Sequence, residues 1–232
     1  TMNPEISIII PTYNEKDNIA ILIHRIEALG ISCEISIVDD NSTDGTRESV
    51  KKLASKYKNV NLIERPEKMG ISSAVRDALP SSNGKYVLVM DGDLQHPPEA
   101  IPKLLREARK GNDIVIASRY VKGGKSQFGL HRKIVSRVAT LFAHMSLQET
   151  ENITDPLSGF FIFRKDIVKP DDIQSSSYKV LLEIVVASKS KKISEISYRF
   201  NKRKYGKSKL GIVEFFRFIF LVLRLSKYST MK

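Results

Sequence analysis

Tyr86-Val87-Leu88-Val89-Met90-Asp91-Gly92-Asp93-Leu94-Gln95-His96-Pro97-Pro98-Glu99 is the stretch on which the reading of this chain turns. Tyr86 to Met90 are strand formers that run straight into two carboxylates one residue apart. That is the pattern of a buried strand ending at a binding edge. Gly92 lets the backbone turn tightly between Asp91 and Asp93, and Gln95 adds a neutral oxygen on the same alternation. Three hard oxygen ligands on one short loop suit Mg²⁺ or Mn²⁺ carrying a diphosphate, which makes Asp91, Asp93 and Gln95 the candidate metal ligands. Pro97 and Pro98 are expected to start a helix, because proline is favoured in a helix's first turn. A solvated acidic turn can carry the same letters, so the company the loop keeps decides its meaning.

That company is a series of strands alternating with helices. Ile6–Ile10 reads as a strand stopped by Pro11-Thr12-Tyr13-Asn14-Glu15, then a helix through Ile19, Leu22, Ile23, Ile26 and Leu29 ending at Gly30. Glu34–Val38 delivers Asp39-Asp40-Asn41-Ser42-Thr43-Asp44, a loop crowded with oxygen ligands and cap residues, ahead of a helix to about Tyr57. Val60–Glu64 is followed by Lys68-Met69-Gly70 and a helix to about Leu79. The quoted strand is followed by a helix to Lys110, and Asp113–Ser118 is a fifth strand. Strands and helices alternating at this spacing imply crossover connections and a mostly parallel sheet, whose ligands gather at the carboxyl ends of its strands. Residues 11–15, 39–44, 68–70, 91–95 and 119–124 all fall at such ends. Asp40 could accept hydrogen bonds from a ribose or a base, or cap the helix that follows it.

Composition bounds the rest. The 232 residues suffice for one sizeable core, and the formal charge of +12 is unevenly placed. Residues 186–232 hold 13 Lys and Arg against Glu195 and Glu214, so the body is near neutral and the end of the chain is basic. A cationic segment calls for an anionic partner: phospholipid, a phosphorylated substrate or nucleic acid. A single cysteine, Cys33, rules out an internal disulfide and fits a reducing compartment. There is no Gly-x-Gly-x-x-Gly, no phosphate-binding Walker loop and no metal spacing among His24, His96, His131 and His144.

The second half is less regular. Arg119-Tyr120-Val121-Lys122-Gly123-Gly124-Lys125 is a basic glycine-containing loop, and Arg132 and Ser136 lie four apart on an expected helix. Asp155-Pro156-Leu157-Ser158-Gly159-Phe160-Phe161 reads as a turn entering a strand, with Phe160–Phe163 as core. Tyr178–Ser188 reads as a helix containing Glu183, and Ile193–Phe200 as an alternating strand. Residues 201–209 are polar, cationic and turn-forming. The helix expected from Leu210 to Lys227 sets Glu214, Arg217, Arg224 and Tyr228 on a narrow stripe. A broad aromatic face covers the rest, which suits a helix lying in a membrane interface, with packing on its own domain as the alternative. No run of about 18 uncharged apolar residues is present.

Taken in order, Pro11 to Glu15, Val38 to Asp44, Asp91 to Glu99, Ser118-Arg119-Tyr120 with Gly123-Gly124, Ser158-Gly159-Phe160 and Gly206-Lys207-Ser208-Lys209 resemble the motif series of glycosyltransferase family 2. Within it the likeness is to the polyprenyl-phosphate glycosyltransferases, the dolichol-phosphate mannose synthases among them. The resemblance spans about residues 5–210. It implies an α/β GT-A (Rossmann-like) catalytic domain over residues 1–209 and an amphipathic interface helix over 210–232. It also implies a nucleotide-sugar donor, GDP-mannose, a divalent cation (Mg²⁺ or Mn²⁺) on Asp91, Asp93 and Gln95, and inverting transfer to a polyprenyl or dolichyl phosphate. Pro11, Tyr13, Glu15, Asp40, Lys68, Asp91 and Asp93 match donor positions. Arg119, Arg132, Ser136, Arg203 and Lys209 match positions that hold the acceptor phosphate, and Asp93 and Arg119 are the expected catalytic pair. Asp155 is expected to position or turn rather than act as a base. The expected setting is the cytoplasmic face of a membrane, with no nucleic acid bound and an anchoring segment or subunit outside these residues. Transfer from UDP-glucose and a non-catalytic lipid- or nucleic-acid-binding protein are the alternatives.

Overall fold

Four parallel strands follow directly from the apolar runs: β1 (Ile6–Thr12), β2 (Cys33–Asp39), β3 (Val60–Glu64) and β4 (Tyr86–Val89). They alternate with α1 (Lys16–Glu27), α2 (Thr46–Lys56), α3 (Ile71–Ala78) and α4 (Ile101–Arg109), and β5 (Ile114–Ser118) closes the regular half. These elements come from a computed structural model that describes residues 4–126, 130–188, 192–205 and 212–230. The expected mostly parallel α/β sheet is present. Pro97 and Pro98 differ in detail from expectation: they lead into a 3-10 turn, Pro98–Ala100, and α4 begins only at Ile101.

The later elements are β6 (Lys125–Ser126), α5 (Leu130–Ser146), β7 (Phe161–Arg164), α6 (Val180–Ala187), β8 (Ile193–Ser197), β9 (Arg199–Phe200) and α7 (Ile212–Thr230). The main sheet runs β3-β2-β1-β4-β7-β5-β8. β7 is inserted antiparallel between β4 and β5, while β8 adds parallel to β5. The single strand expected over Ile193–Phe200 is divided. Its first part joins the main sheet, and Arg199–Phe200 pairs with Lys125–Ser126 in a two-stranded ribbon. The break falls at Tyr198, whose buried ring packs edge-on against Phe160 and Phe200.

Side-chain alternation along the strands builds a core on each sheet face. Ile8, Ile10, Leu88 and Met90 meet α1, α2 and α4 on one face; Ile9, Val87, Val89, Phe161 and Phe163 meet α3 and α6 on the other. A third cluster joins α5, α6 and α7 through Ala143, Leu182, Val186, Phe218, Leu221, Val222 and Leu225. Burying a side chain of this size is worth about 1.5–3 kcal/mol. The inner stripe of α7 is thereby fixed to the domain. Its outer face remains exposed.

Candidate active site

The loops after β1 and β2 hold each other through their polar groups. Asn14 N donates to Ser42 Oγ at 2.8 Å, Thr43 N to Asn14 Oδ1 at 2.9 Å, Glu15 N to Thr46 Oγ1 at 3.0 Å and Lys16 N to Asp44 Oδ2 at 3.1 Å. Asp39, fully buried, accepts from Thr12, Ser42 and Arg47. The oxygen-rich segment 39–44 is thus loop-building. Its carboxylates order the edge on which Pro11, Tyr13 and Glu15 stand.

Asp40 does not cap α2. One of its oxygens receives Arg65 Nε at 2.6 Å, and the other receives Met69 N at 3.2 Å and Gly70 N at 2.9 Å. Arg65, 4% exposed, also donates to Ser73 Oγ at 2.8 Å and to the Gly70 carbonyl at 2.9 Å. Together they mould the turn that presents Lys68, whose ammonium lies 4.9 Å over the Tyr13 ring. Gly70 has φ +90°, and a Cβ there would stand 2.1 Å from the Ser176 carbonyl oxygen. Only glycine lets the donor-side turn close on the segment before α6.

Just after β4 come Asp91, half-buried, and Asp93, buried. Gln95 N donates to Asp93 Oδ1 at 3.0 Å, and Gln95 Nε2 to the Asn201 carbonyl at 3.0 Å, which leaves Oε1 as the oxygen this amide can offer. Burial pushes the Asp91 carboxyl up to about 6 against the charges of Lys179 and Arg203. Burial and the neighbouring Asp91 raise Asp93. Carboxylates whose proton affinity is raised by burial and by a neighbouring carboxylate, Glu15 for Asp91 and Asp91 for Asp93, are relieved by a cation. Among the described residues no three His, Cys, Asp or Glu side chains converge on one point. Two carboxylates and an amide oxygen fit an ion that completes its shell with diphosphate oxygens, as Mg²⁺ and Mn²⁺ do.

His96 is the support beneath this loop, and the sequence did not single it out. It is 2% exposed, stacks on Phe160 at 5.2 Å and receives Asp91 N at Nδ1 at 3.1 Å, so its remaining proton is on Nε2. Burial pushes its pKa down to about 4. A Cβ on Gly159 would meet His96 Cε1 at 3.2 Å and the Asp91 oxygens at 3.5 and 3.6 Å. The Ser158-Gly159-Phe160 signal therefore reports close packing under the metal loop.

On the far side, Asp155 is fully buried and takes Arg119 in a fork, at 2.8 Å from Nε and 2.7 Å from Nη2, with Arg119 N adding 3.0 Å. Asp155 thus holds Arg119 in place. Its pairing with Arg119 raises the guanidinium pKa further despite burial. Tyr120 Oη donates to Ser136 Oγ at 2.8 Å, joining the 119–124 loop to α5. Arg203 reaches back across the cleft, with Nη2 2.5 Å from Asp93 Oδ2 and Nη1 3.3 Å from Glu15 Oε1. Arg203 therefore pairs with Asp93 and Glu15, and Arg119 with Asp155. Arg132 falls on α5, but its side chain lies outside the described residues, as does Lys209. Lys179 was not foreseen: its Nζ donates to the Leu157 carbonyl at 3.0 Å beside this cluster.

α5 and α7 lie side by side, with Phe142 and Phe218 edge to face at 6.2 Å. Each leaves apolar residues outside: Ile134, Val138, Leu141 and Met145 on α5, and Phe215, Phe216, Phe220 and Leu223 on α7. Met145 and Phe220 are 79% and 71% exposed. The broad apolar face expected for this last helix is divided: Phe218 and Val222 pack on the domain, while Phe215, Phe216, Phe220 and Leu223 stay exposed, and on α5 residues 134, 138, 141 and 145 follow the helical period. Among the described residues no helix is long and apolar enough to cross a membrane.

The family model for glycosyl transferase family 2 matches residues 7–170, and the chain belongs to that family. Its sheet and flanking helices are the GT-A fold. Glucosyl-3-phosphoglycerate synthase from Mycobacterium tuberculosis, solved with Mn²⁺, UDP and glucosyl-3-phosphoglycerate, superposes with a TM-score of 0.69 at 18% identity, covering 97% of this chain and 80% of that one. TarS 1–349 from S. aureus, solved with UDP-GlcNAc, gives 0.63 at 19% identity over 95% and 66%. More particularly, the chain is 42% identical to a dolichol-phosphate mannosyltransferase of Pyrococcus furiosus over 97% of its own length and 64% of that protein's. It is 35% identical to the Saccharomyces cerevisiae protein of the same name, over 90% of this chain and 82% of the other. The chain thus spans a little under two thirds of the Pyrococcus relative.

Proposed function

We propose that this chain transfers mannose from GDP-mannose to a dolichyl or related polyprenyl phosphate, with inversion at the anomeric carbon, on the cytoplasmic face of a membrane. The observation that carries this reading is 34–42% identity to dolichol-phosphate mannosyltransferases from three organisms over most of the chain. Pro11, Tyr13, Glu15 and Asp40 border the nucleoside, and Lys68 lies on the diphosphate side. Asp91, Asp93 and Gln95 would hold Mg²⁺ or Mn²⁺, which when bound neutralises the departing nucleoside diphosphate. A phosphate acceptor is already anionic near neutral pH, so the residues have no strong base to supply. Their task is to bring two anionic groups together. Arg119, kept in orientation by Asp155, offers a planar donor edge suited to phosphate, and Arg132, Ser136, Arg203 and Lys209 are assigned to the same acceptor group. The outward apolar faces of α5 and α7, beside a strongly basic segment, support docking on an anionic lipid surface.

The test is transfer of labelled mannose from GDP-mannose into an organic-extractable product, with polyprenyl phosphate in anionic vesicles and with or without Mn²⁺. Metal-dependent label in the organic phase is the expected result. No label, together with calorimetric binding of another nucleotide sugar, would discard mannose and keep the metal loop. Equal rates on anionic and neutral vesicles would remove the electrostatic part of the docking. Salt-sensitive RNA binding without turnover would favour a binding protein instead.

A further inference from the structure

Lys179 is a built-in cation that the reading above leaves without a task. The segment before α6 is tied down from two sides. Buried Glu183 accepts Gln174 N at 3.0 Å and Ser175 N at 2.9 Å, and Ser72 N donates to the Ser177 carbonyl at 2.9 Å. Ser176 closes against Gly70. Lys179 N donates to Ser177 Oγ at 3.1 Å, and its Nζ is anchored on the Leu157 carbonyl at 3.0 Å, two residues from Asp155. Lys179 therefore stands between the donor-side turn and the Asp155–Gly159 loop.

Most of the surrounding carboxylates are matched by an arginine, Asp91 being the exception among them. Asp39 pairs with Arg47, Asp40 with Arg65, Asp155 with Arg119, and Glu15 and Asp93 with Arg203. Lys179 makes no ion pair among the described residues, and the charges that act on it most strongly are those of Arg119, Asp91 and Asp155. Of the charges acting on Asp91, that of Lys179 is the largest. A partly buried ammonium without a carboxylate partner is costly, unless the working state brings an anion to it. The reaction brings two: a diphosphate and a phosphomonoester.

We propose that Lys179 is a catalytic residue whose ammonium holds a phosphate oxygen at the reaction centre. This rests on the phosphate-to-sugar transfer proposed above. The acceptor oxygen forms the bond to the anomeric carbon as the bond to the diphosphate oxygen breaks, and Lys179 itself forms no bond. Burial and Arg119 push the lysine pKa down to about 8, a strain that a bound phosphate relieves. A phosphate oxygen of either substrate offers the same chemistry, and affinity separates the two.

Calorimetry of the intact chain with GDP plus Mn²⁺, and separately with geranyl phosphate, is compared for the parent, Lys179→Gln and Lys179→Arg, with turnover measured in parallel. Lys179→Gln is expected to weaken one of the two ligands about tenfold or more, the scale of a lost charge-assisted hydrogen bond, while Lys179→Arg stays within about threefold. Loss confined to geranyl phosphate assigns the lysine to the acceptor; loss confined to GDP assigns it to the leaving group. Both affinities within about twofold of the parent in Lys179→Gln would overturn the proposal. An equal loss of both with a lowered melting temperature would overturn it too, as a purely structural role. A parent protein that binds neither ligand would sink the proposed function and this inference with it, whereas parent binding with an unchanged variant sinks this inference alone.

Discussion

The two halves of the site that the proposed function gives to donor and acceptor are built differently. On the donor side, residues 11–16, 39–46 and 65–70 are linked by many short contacts, several to backbone amides, and the carboxylates Asp39, Asp40 and Asp44 are each shared by two or more partners. On the acceptor side, Arg119 forks onto the buried Asp155 carboxylate, and the other cations come from α5, the start of α6 and the 199–205 segment. A network with many partners fixes a shape that is ready for a nucleotide. A set of cations with few carboxylates would, under the proposed function, be completed by the phosphates of the substrates. The halves meet at Asp93, where Arg203 from the acceptor side reaches the metal loop.

That contrast can be broken most sharply at the meeting point. Asp93→Ala should lower transfer by about a hundred- to a thousandfold with the fold intact by circular dichroism, the scale of losing one preorganised charge at a reaction centre. A folded variant as fast as the parent would end the assignment of this loop to the metal. Next, Asp155→Asn leaves Arg119 buried without its anion and should cost about 3–5 kcal/mol in urea unfolding. A loss below about 1 kcal/mol would mean that the acceptor half is as redundantly held as the donor half.

The smallest effect lies in pH. Asp91, with its folded pKa raised to about 6, binds its proton more tightly in the folded state, so its contribution is present below about pH 4 and is lost as pH rises through 6. His96, lowered to about 4 from 6.5, contributes above 6.5 and loses that contribution as pH falls through 4. The two slopes oppose each other. In cation-free buffer Asp91→Asn should therefore gain stability between pH 4.5 and 6.5 more steeply than the parent, read from urea midpoints. Parallel curves for variant and parent would show that burial does not govern Asp91.

Much of the donor half was legible because it is local. Apolar runs, glycines and carboxylates lie within a few residues of each other, and β1 to β5 follow those runs closely. The sequence also marked the 119–124 loop, the turn at Asp155 and the amphipathic last helix. It did not show that Asp39 and Asp44 serve the loops themselves, because an oxygen-rich segment looks the same whether its partners are amides or ligands. His96, Lys179 and Glu183 carried no spacing signal, since their partners lie across the fold.

The sequence by itself determined the alternation of strands and helices, and with it the sheet edge where five loops converge. Hydrophobic period and turn chemistry act over short stretches of chain, and both can be read there. Only the tertiary structure decided that β7 enters antiparallel between β4 and β5, bringing Gly159 beside Asp91. It alone paired Arg203 with Asp93 across 110 residues and lodged Lys179 between the two halves. Those contacts depend on which buried surfaces meet, and that is a property of the whole core rather than of any segment.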